Sequence, residues 1–183
     1  VSLIEGEDAF HGTPDDLFFG HARLAPVGAG GPEVITLARK NARMCITVRG
    51  LDRRIPEDRY YLTVEIPNDG YDFVGNPIAG TARVRRTGAF HDNGDFSTDE
   101  AFNLIHTDPA VSPAGGVTVN LYEKALGRSA DRLIASVTDD DGRPISLPTG
   151  RTVNLLIDLN EGGGLSVYTE ITPWDEIYQW DIW

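Results

Sequence analysis

Apolar and polar residues alternate with a period of two along much of the chain, the spacing that sends successive side chains to opposite faces of a β-strand. Within 60–66, Tyr60, Leu62, Val64 and Ile66 share one face, and Tyr61, Thr63 and Glu65 take the other. Met44, Ile46 and Val48 alternate with Cys45, Thr47 and Arg49, and Gly50 follows as a stop. Val153, Leu155, Ile157 and Leu159 share a face, while Asn154 and Asp158 point away. Further strands are predicted at 34–37, 117–122, 133–138 and 165–172, each rich in branched or aromatic residues. Gly, Pro, Asn and Asp recur between these runs, at 28–32, 50–56, 67–70, 75–80, 92–94, 112–116, 139–144, 148–150 and 161–164. A helical turn or two is predicted only at 98–105, with Thr98 as N-cap and Asp99 and Glu100 near the positive helix end. No stretch sustains a three-to-four spacing, so the fold class expected is all-β, antiparallel and sandwich-like.

Length changes this picture little: 183 residues can build one large domain or two small ones, and either buries a real core. The polar stretch His91-Asp92-Asn93-Gly94-Asp95 suits exposed connecting backbone and is the expected domain boundary. Charge excludes more. With 28 acidic against 16 basic residues the chain carries a net −12, and Arg53-Arg54 and Arg83, Arg85 and Arg86 form no long basic run. Nucleic acid is therefore not an expected partner, because phosphate binding needs clustered Lys and Arg. No apolar run approaches the ~20 residues needed to span a bilayer as a helix.

The candidate chemistry is sparse. The single cysteine, Cys45, cannot form an internal disulfide, and its strand setting predicts a small half-buried side chain. His11, His21, His91 and His106 are dispersed without metal-ligand spacing and read as surface loop residues. Asp139-Asp140-Asp141-Gly142 resembles part of a calcium loop but lacks the distal Glu, and its Asp-Gly step suits a tight hairpin; Asp69-Gly70 and Asp92-Asn93-Gly94-Asp95 read the same way. No Gly-x-Ser-x-Gly elbow or phosphate loop occurs, since Gly162-Gly163-Gly164 precedes a strand and lacks a following Lys. No catalytic residue, metal ligand or cofactor is expected, and an enzyme is the last of the readings. The C-terminal end concentrates rings: Tyr168, Trp174, Tyr178, Trp180 and Trp183. They either pack on the last strand or form an aromatic recognition surface, for which Trp174, Tyr178, Trp180 and Trp183 are the candidates.

Several phrases, in order, resemble the FimB-type family of fimbrial anchor and accessory lipoproteins of Bacteroidales. They are Asp16-Leu17-Phe18-Phe19-Gly20, Leu37-Ala38-Arg39, the strand Ala42-Arg43-Met44-Cys45-Ile46-Thr47-Val48, and the ending Pro173-Trp174-Asp175. The resemblance covers most of the chain. It implies two consecutive transthyretin-like β-sandwiches, 1–93 and 94–183, the first incomplete at its N-terminus. It also implies a cell-surface fimbrial subunit, most plainly an accessory or anchor protein, that assembles by β-strand complementation. Its partners would be other fimbrial subunits and the outer membrane, reached through an upstream lipid anchor outside this chain; a ligand on a host or bacterial surface is a further partner it allows. The interface residues it points to are Leu37, Met44, Ile46 and Val48 in the first strand pair and Val167, Thr169 and Ile171 in the last strand. The alternative from another class is a secreted carbohydrate-binding module using the C-terminal aromatics, and a third is a spacer domain without ligand.

Overall fold

The computed structural model describes all residues except 1, 4, 7, 23–33, 99, 109–114, 128, 161, 179 and 181–183. The described strands are β1 (Phe18–Phe19), β2 (Ala38–Arg39), β3 (Asn41–Arg49), β4 (Tyr60–Tyr71), β5 (Pro77–Arg86), β6 (Ala89–Phe90), β7 (Phe96–Ser97) and β8 (Phe102–Ile105), followed by β9 (Thr118–Glu123), β10 (Arg132–Val137), β11 (Asp139–Asp140), β12 (Arg143–Pro144), β13 (Arg151–Leu159) and β14 (Leu165–Pro173). A single 3-10 turn, Glu57–Arg59, is the only helical element among the described residues.

Two larger sheets carry the core. One runs β10-β9-β4-β5, and the other β14-β13-β3-β7-β6, with β8 also paired to β3. The period of two explains why they close on each other. Leu62, Val64 and Ile66 of β4, Val84 of β5 and Val119 and Leu121 of β9 meet Met44, Ile46 and Val48 of β3 and Val153, Leu155 and Ile157 of β13 in one cluster. The three β3 side chains and Leu155 and Ile157 have no exposed surface, whereas Cys45, Thr47 and Arg49 are only half-buried on the opposite face. Burying each such side chain is worth about 1.5–3 kcal/mol, which makes this alternation the main driving force for the fold.

The structure departs from the sequence expectation in five places. First, both sheets draw strands from either side of the expected boundary: β3 pairs with β13, and β4 with β9. The 91–95 stretch is a tight turn joining β6 to β7, closed by the bond from His91 N–H to the Asp95 carbonyl (2.9 Å). The division into 1–93 and 94–183 therefore does not follow the pairing of the strands. Second, β13 runs parallel to β3, from Thr152↔Arg43 to Asp158↔Arg49, whereas the other strand pairs among the described residues are antiparallel. Third, 98–105 is no helix. Thr98 continues the ladder of β3, exchanging bonds with Ile46 through its N–H (3.0 Å) and its hydroxyl (3.2 Å), and Phe102–Ile105 pairs with β3 as a strand; Asp99 lies outside the described residues. Fourth, the strand expected at 34–37 is absent: Val34, Ile35 and Leu37 are exposed, and only Ala38 and Arg39 pair, with β1. Fifth, Asp69-Gly70 lies inside β4 at a register irregularity instead of in a turn. The reversal falls at Asp72, whose carboxylate accepts the N–H groups of Val74 (2.9 Å) and Asn76 (2.8 Å).

The Asp139–Gly142 hairpin forms as expected. Asp141 and Gly142 adopt φ of 53° and 74°, the positive values a two-residue hairpin loop demands, and β11 pairs with β12.

Candidate functional site

β14 closes one side of the larger sheet, pairing with β13 without interruption from Arg151↔Pro173 to Leu159↔Leu165. Among the described residues no strand pairs with its other edge. The direction of its free main-chain groups follows from one contact. The Thr169 N–H points away from β13 and is accepted by the Asp140 carboxylate (3.0 Å), which also accepts the Thr169 hydroxyl (2.5 Å). In an antiparallel strand both main-chain groups of a residue point to the same side, so Leu165, Val167, Thr169 and Ile171 present theirs outward. Their side chains face the core, opposite Leu159, Ile157, Leu155 and Val153. The core is not fully closed there: Ile171 is 49 % and Leu165 45 % exposed. A groove of about 430 Å³ runs beside the strand, lined among others by Arg143, Ile145, Val153, Thr169 and Ile171.

Val167, Thr169 and Ile171 are thus brought together on one open edge. The other candidates are not. Met44, Ile46 and Val48 are core residues of an internal strand, held between β13 and β7/β8, and present no free edge. Leu37 is exposed on the irregular segment before β2, remote in the pairing from β14.

A second constellation gathers residues far apart in the chain. The Asp16 carboxylate accepts both Arg39 Nε (2.9 Å) and Nη2 (2.8 Å) in a side-on fork. The same guanidinium lies over the Phe18 ring at 4.8 Å and the Trp174 ring at 4.0 Å. Arg43 adds a second cation to Trp174 at 5.3 Å and donates to its carbonyl (3.0 Å), which also accepts the Thr152 hydroxyl (2.8 Å). Phe18 is in register with Arg39 across the β1–β2 pair, and Asp16 two residues earlier meets the same guanidinium. Gly20 is needed beside them, because a Cβ there would meet the Thr36 carbonyl at 2.5 Å. The result is a clasp tying the 14–20 segment, β2, β3 and the chain after β14.

The clasp also changes the reading of the terminal aromatics. Trp174 is taken up by two arginines. Tyr178 and Trp180 meet edge-on, with centroids 4.9 Å apart and planes at 70°, so they do not form the coplanar platform a sugar ring would stack on. The Tyr178 N–H caps Asn154 Oδ1 (3.0 Å), and Asn154 donates to the Glu170 carbonyl and the Thr172 hydroxyl. The tail thereby covers the outer face of β13, which is why Asn154, although pointing away from the core, is buried. Trp183 lies outside the described residues.

Of the histidines, His106 is not a surface residue. It is buried against Tyr71, with rings 5.5 Å apart, and its Nδ1–H donates to the Lys40 carbonyl (2.7 Å). Burial holds its pKa below the ordinary histidine value and pushes the Tyr71 hydroxyl up to about 12. His11 Nδ1 accepts the Arg83 N–H (3.1 Å), and His91 Nε2 meets the Ser97 hydroxyl (2.5 Å). Among the described residues no group of three metal-ligating side chains converges. Cys45 is half-buried in β3, and burial raises its thiol pKa.

Comparison with known proteins decides the family. Residues 1–180 match the family described as "Mfa2: Fimbrillin-A associated anchor proteins Mfa1 and Mfa2". The chain belongs to this family. Within the wider set of relatives of this Mfa2-family chain, the major fimbrium anchoring subunit FimB of Porphyromonas gingivalis is 27 % identical over 190 residues. That match covers 96 % of this chain and 57 % of FimB. The structure of the fimbrial anchor protein Mfa2 from Porphyromonas gingivalis superposes with a TM-score of 0.56 at 12 % identity, over 94 % of this chain and 64 % of that one. At that identity the second likeness speaks for the fold alone, and it agrees with the all-β architecture. The chain spans less than two thirds of either relative. The phrases that mark the family in the sequence, Asp16 to Gly20, Leu37 to Arg39 and Pro173 to Asp175, are largely those that build the clasp. Their wording is visible in the sequence and their contacts are not; the signal available is the two-residue step from Asp16 to Phe18 and the later Arg39.

Proposed function

We propose that this Mfa2-family chain is part of a cell-surface fimbrial anchor or accessory subunit that joins a neighbouring subunit by strand addition at the open edge of β14. The carrying observation is that edge: nine residues paired on one side, with Val167, Thr169 and Ile171 turning side chains into an unclosed core margin and main-chain groups outward. An incoming extended segment would gain main-chain hydrogen bonds from Leu165, Val167 and Ile171, and its alternate side chains would fill the groove beside Ile145 and Val153. Exposed flat edges are otherwise a liability that folds tend to guard. The clasp would hold both flanks of the sheet rigid while the edge is used. Tethering to the outer membrane would be the work of a lipid carried outside residues 1–183. The role proposed here is structural.

The test is co-assembly in cells. Ile171→Lys and Val167→Lys place charges where the added strand would pack, and the fimbrial subunits that co-purify with the whole protein are then compared. Loss of co-purification, with the stability of the variants in urea within about 1 kcal/mol of wild type, is expected. Full co-purification with both variants would refute the β14 assignment.

A further inference from the structure

The sheet edges of this fold are guarded, and the guards differ in how firmly they are held. On β5 the N–H of Arg83 is accepted by His11 Nδ1 (3.1 Å), and the His11 N–H returns to the Arg83 carbonyl (2.7 Å). On β6 the N–H of Phe90 is accepted by the Glu57 carboxylate (3.0 Å). β10 is interrupted by a register shift between Leu133 and Ala135. Devices of this kind keep unpaired edges from joining other chains. On β14 the guard is Asp140, and among the described residues its carboxylate meets that nine-residue strand at Thr169 alone.

Asp140 is carried by the β11–β12 hairpin, which is built as a part that can swing. Its base is fixed: Val137 and Ile145 are each 2 % exposed, and the Val117 N–H donates to the Ile145 carbonyl (2.9 Å). Beyond that base, residues 138–144 are exposed except Asp140, which is half-buried. The hairpin holds its shape without β14, through the β11–β12 pairing and the bond from the Gly142 N–H to Asp139 Oδ1 (2.9 Å). Among the described residues it forms no main-chain ladder with β14. It stands beside the edge as a pre-shaped flap fastened by one carboxylate. Asp140, Arg143 and Pro144 wall the groove of about 430 Å³ that faces Thr169 and Ile171, whereas Leu165 and Val167 do not line it. The edge is therefore free in its first half and covered in its second.

We propose that the β11–β12 hairpin is a latch on the β14 edge, opened by an incoming strand that sets a main-chain carbonyl where the Asp140 carboxylate now accepts the Thr169 N–H. An added strand runs about 4.8 Å from its neighbour, through the place that this carboxylate holds. It pairs first with Leu165 and Val167, where nothing has to move, and then displaces Asp140 to reach Thr169 and Ile171. The displaced carboxylate returns to water on an exposed hairpin, and the Thr169 N–H exchanges one acceptor for another. Closed, the latch withholds half of the edge from segments too short or too poorly matched to pair along both halves. The inference rests on strand addition at β14 as proposed above, and adds the element that resists it.

The probe is the capped peptide Ac-Lys-Thr-Val-Thr-Val-Thr-Lys-NH2, long enough to span Leu165 to Ile171, titrated into the 15N-labelled 183-residue chain. Binding is followed at the amide resonances of Leu165, Val167, Thr169 and Ile171 in wild type and in Asp140→Ala. Asp140→Ala is expected to bind about fivefold more tightly, the factor that one net hydrogen bond supplies. Charge alone predicts the opposite sign, because the peptide is cationic and the substitution removes an acid. Asp140→Asn keeps a neutral acceptor for the Thr169 N–H and is expected to fall between the two; if Asp140→Ala does not fold, this variant decides by the same comparison. Equal affinity at these amides in wild type and Asp140→Ala overturns the latch and leaves strand addition standing. Weaker binding by Asp140→Ala overturns it too, since Asp140 would then be a contact of the guest. No shift of these amides in either chain overturns strand addition at β14, and the latch with it.

Discussion

Replacing Arg39 by lysine tests the clasp with its charge retained. Lysine can reach Asp16 with one donor, where the guanidinium now uses two at 2.9 and 2.8 Å. Losing one net hydrogen bond costs about 0.5–1.5 kcal/mol. The Coulombic share is discounted, because Arg39 and Asp16 are 26 % and 36 % exposed and such pairs contribute only about 0–1 kcal/mol. The larger loss is the planar stack between Phe18 at 4.8 Å and Trp174 at 4.0 Å, which a point charge on a flexible stem cannot reproduce. A partly exposed cation–π contact contributes about 0.5–1 kcal/mol, so the two faces together give roughly 1–2 kcal/mol. The expected total is about 1.5–3.5 kcal/mol, read as a fall in urea midpoint at unchanged m-value. A double-mutant cycle with Trp174→Leu isolates the stack, and a coupling of about 0.5–1 kcal/mol is expected. A destabilisation below about 0.5 kcal/mol, or zero coupling to Trp174, would show that these residues merely lie together and that the clasp carries no energy.

Three further outcomes are expected. Leu155→Ala, at a side chain with no exposed surface between the two sheets, should cost about 3–4 kcal/mol and lower Tm by roughly 10 °C, measured by calorimetry. Because burial holds the His106 pKa below its unfolded value, stability is fully present above about pH 6.5 and falls as pH drops through that value toward the lowered folded pKa. Urea midpoints of wild type and His106→Gln between pH 7.5 and 5 should converge on acidification, and a constant gap would contradict the assignment. Asp140→Ala should speed hydrogen exchange at the Thr169 amide by roughly fivefold, the equivalent of about 1 kcal/mol for one half-buried hydrogen bond, while leaving Tm within about 1 °C; unchanged exchange would mean that Asp140 does not cap the edge.

How much of this was legible depends on whether a residue's environment is local. The alternation in β3, β4 and β13 is set by one buried face, and the sequence shows it directly. At 34–37 the same branched residues gave a false strand, because β-propensity reports a fit to a half-buried pleat and Val34 and Ile35 have no sheet to fit. At 98–105 the polar residues read as a helix cap, yet the hydroxyl and N–H of Thr98 are used by Ile46 far earlier in the chain. The period of two in Phe102, Asn103 and Leu104 was there to be read: Phe102 and Leu104 are buried and Asn103 turns outward to the Pro14 carbonyl. Strand pairing runs across the expected domain boundary for a related reason. Turn residues at 91–95 describe a local reversal and say nothing about which strands lie beyond it. The acceptor of Arg39 and the bond from Thr169 to Asp140 are relations across the fold, and no window of sequence contains them.

The parallel pairing of β3 with β13 also sets when the molecule can finish folding. Met44 and Val153 become neighbours only after nearly the whole intervening chain has been made and arranged, because a parallel partner cannot be reached through a hairpin. Contacts of such long sequence separation slow folding, as the loop must be closed before its reward arrives. Until β13 arrives, the central strand of the larger sheet stands with one side unpaired and its apolar face exposed, the state in which β-rich chains associate wrongly. A chain built this way gains from being kept unfolded and escorted until synthesis is well advanced. In this fold the larger sheet therefore cannot close until β13 arrives.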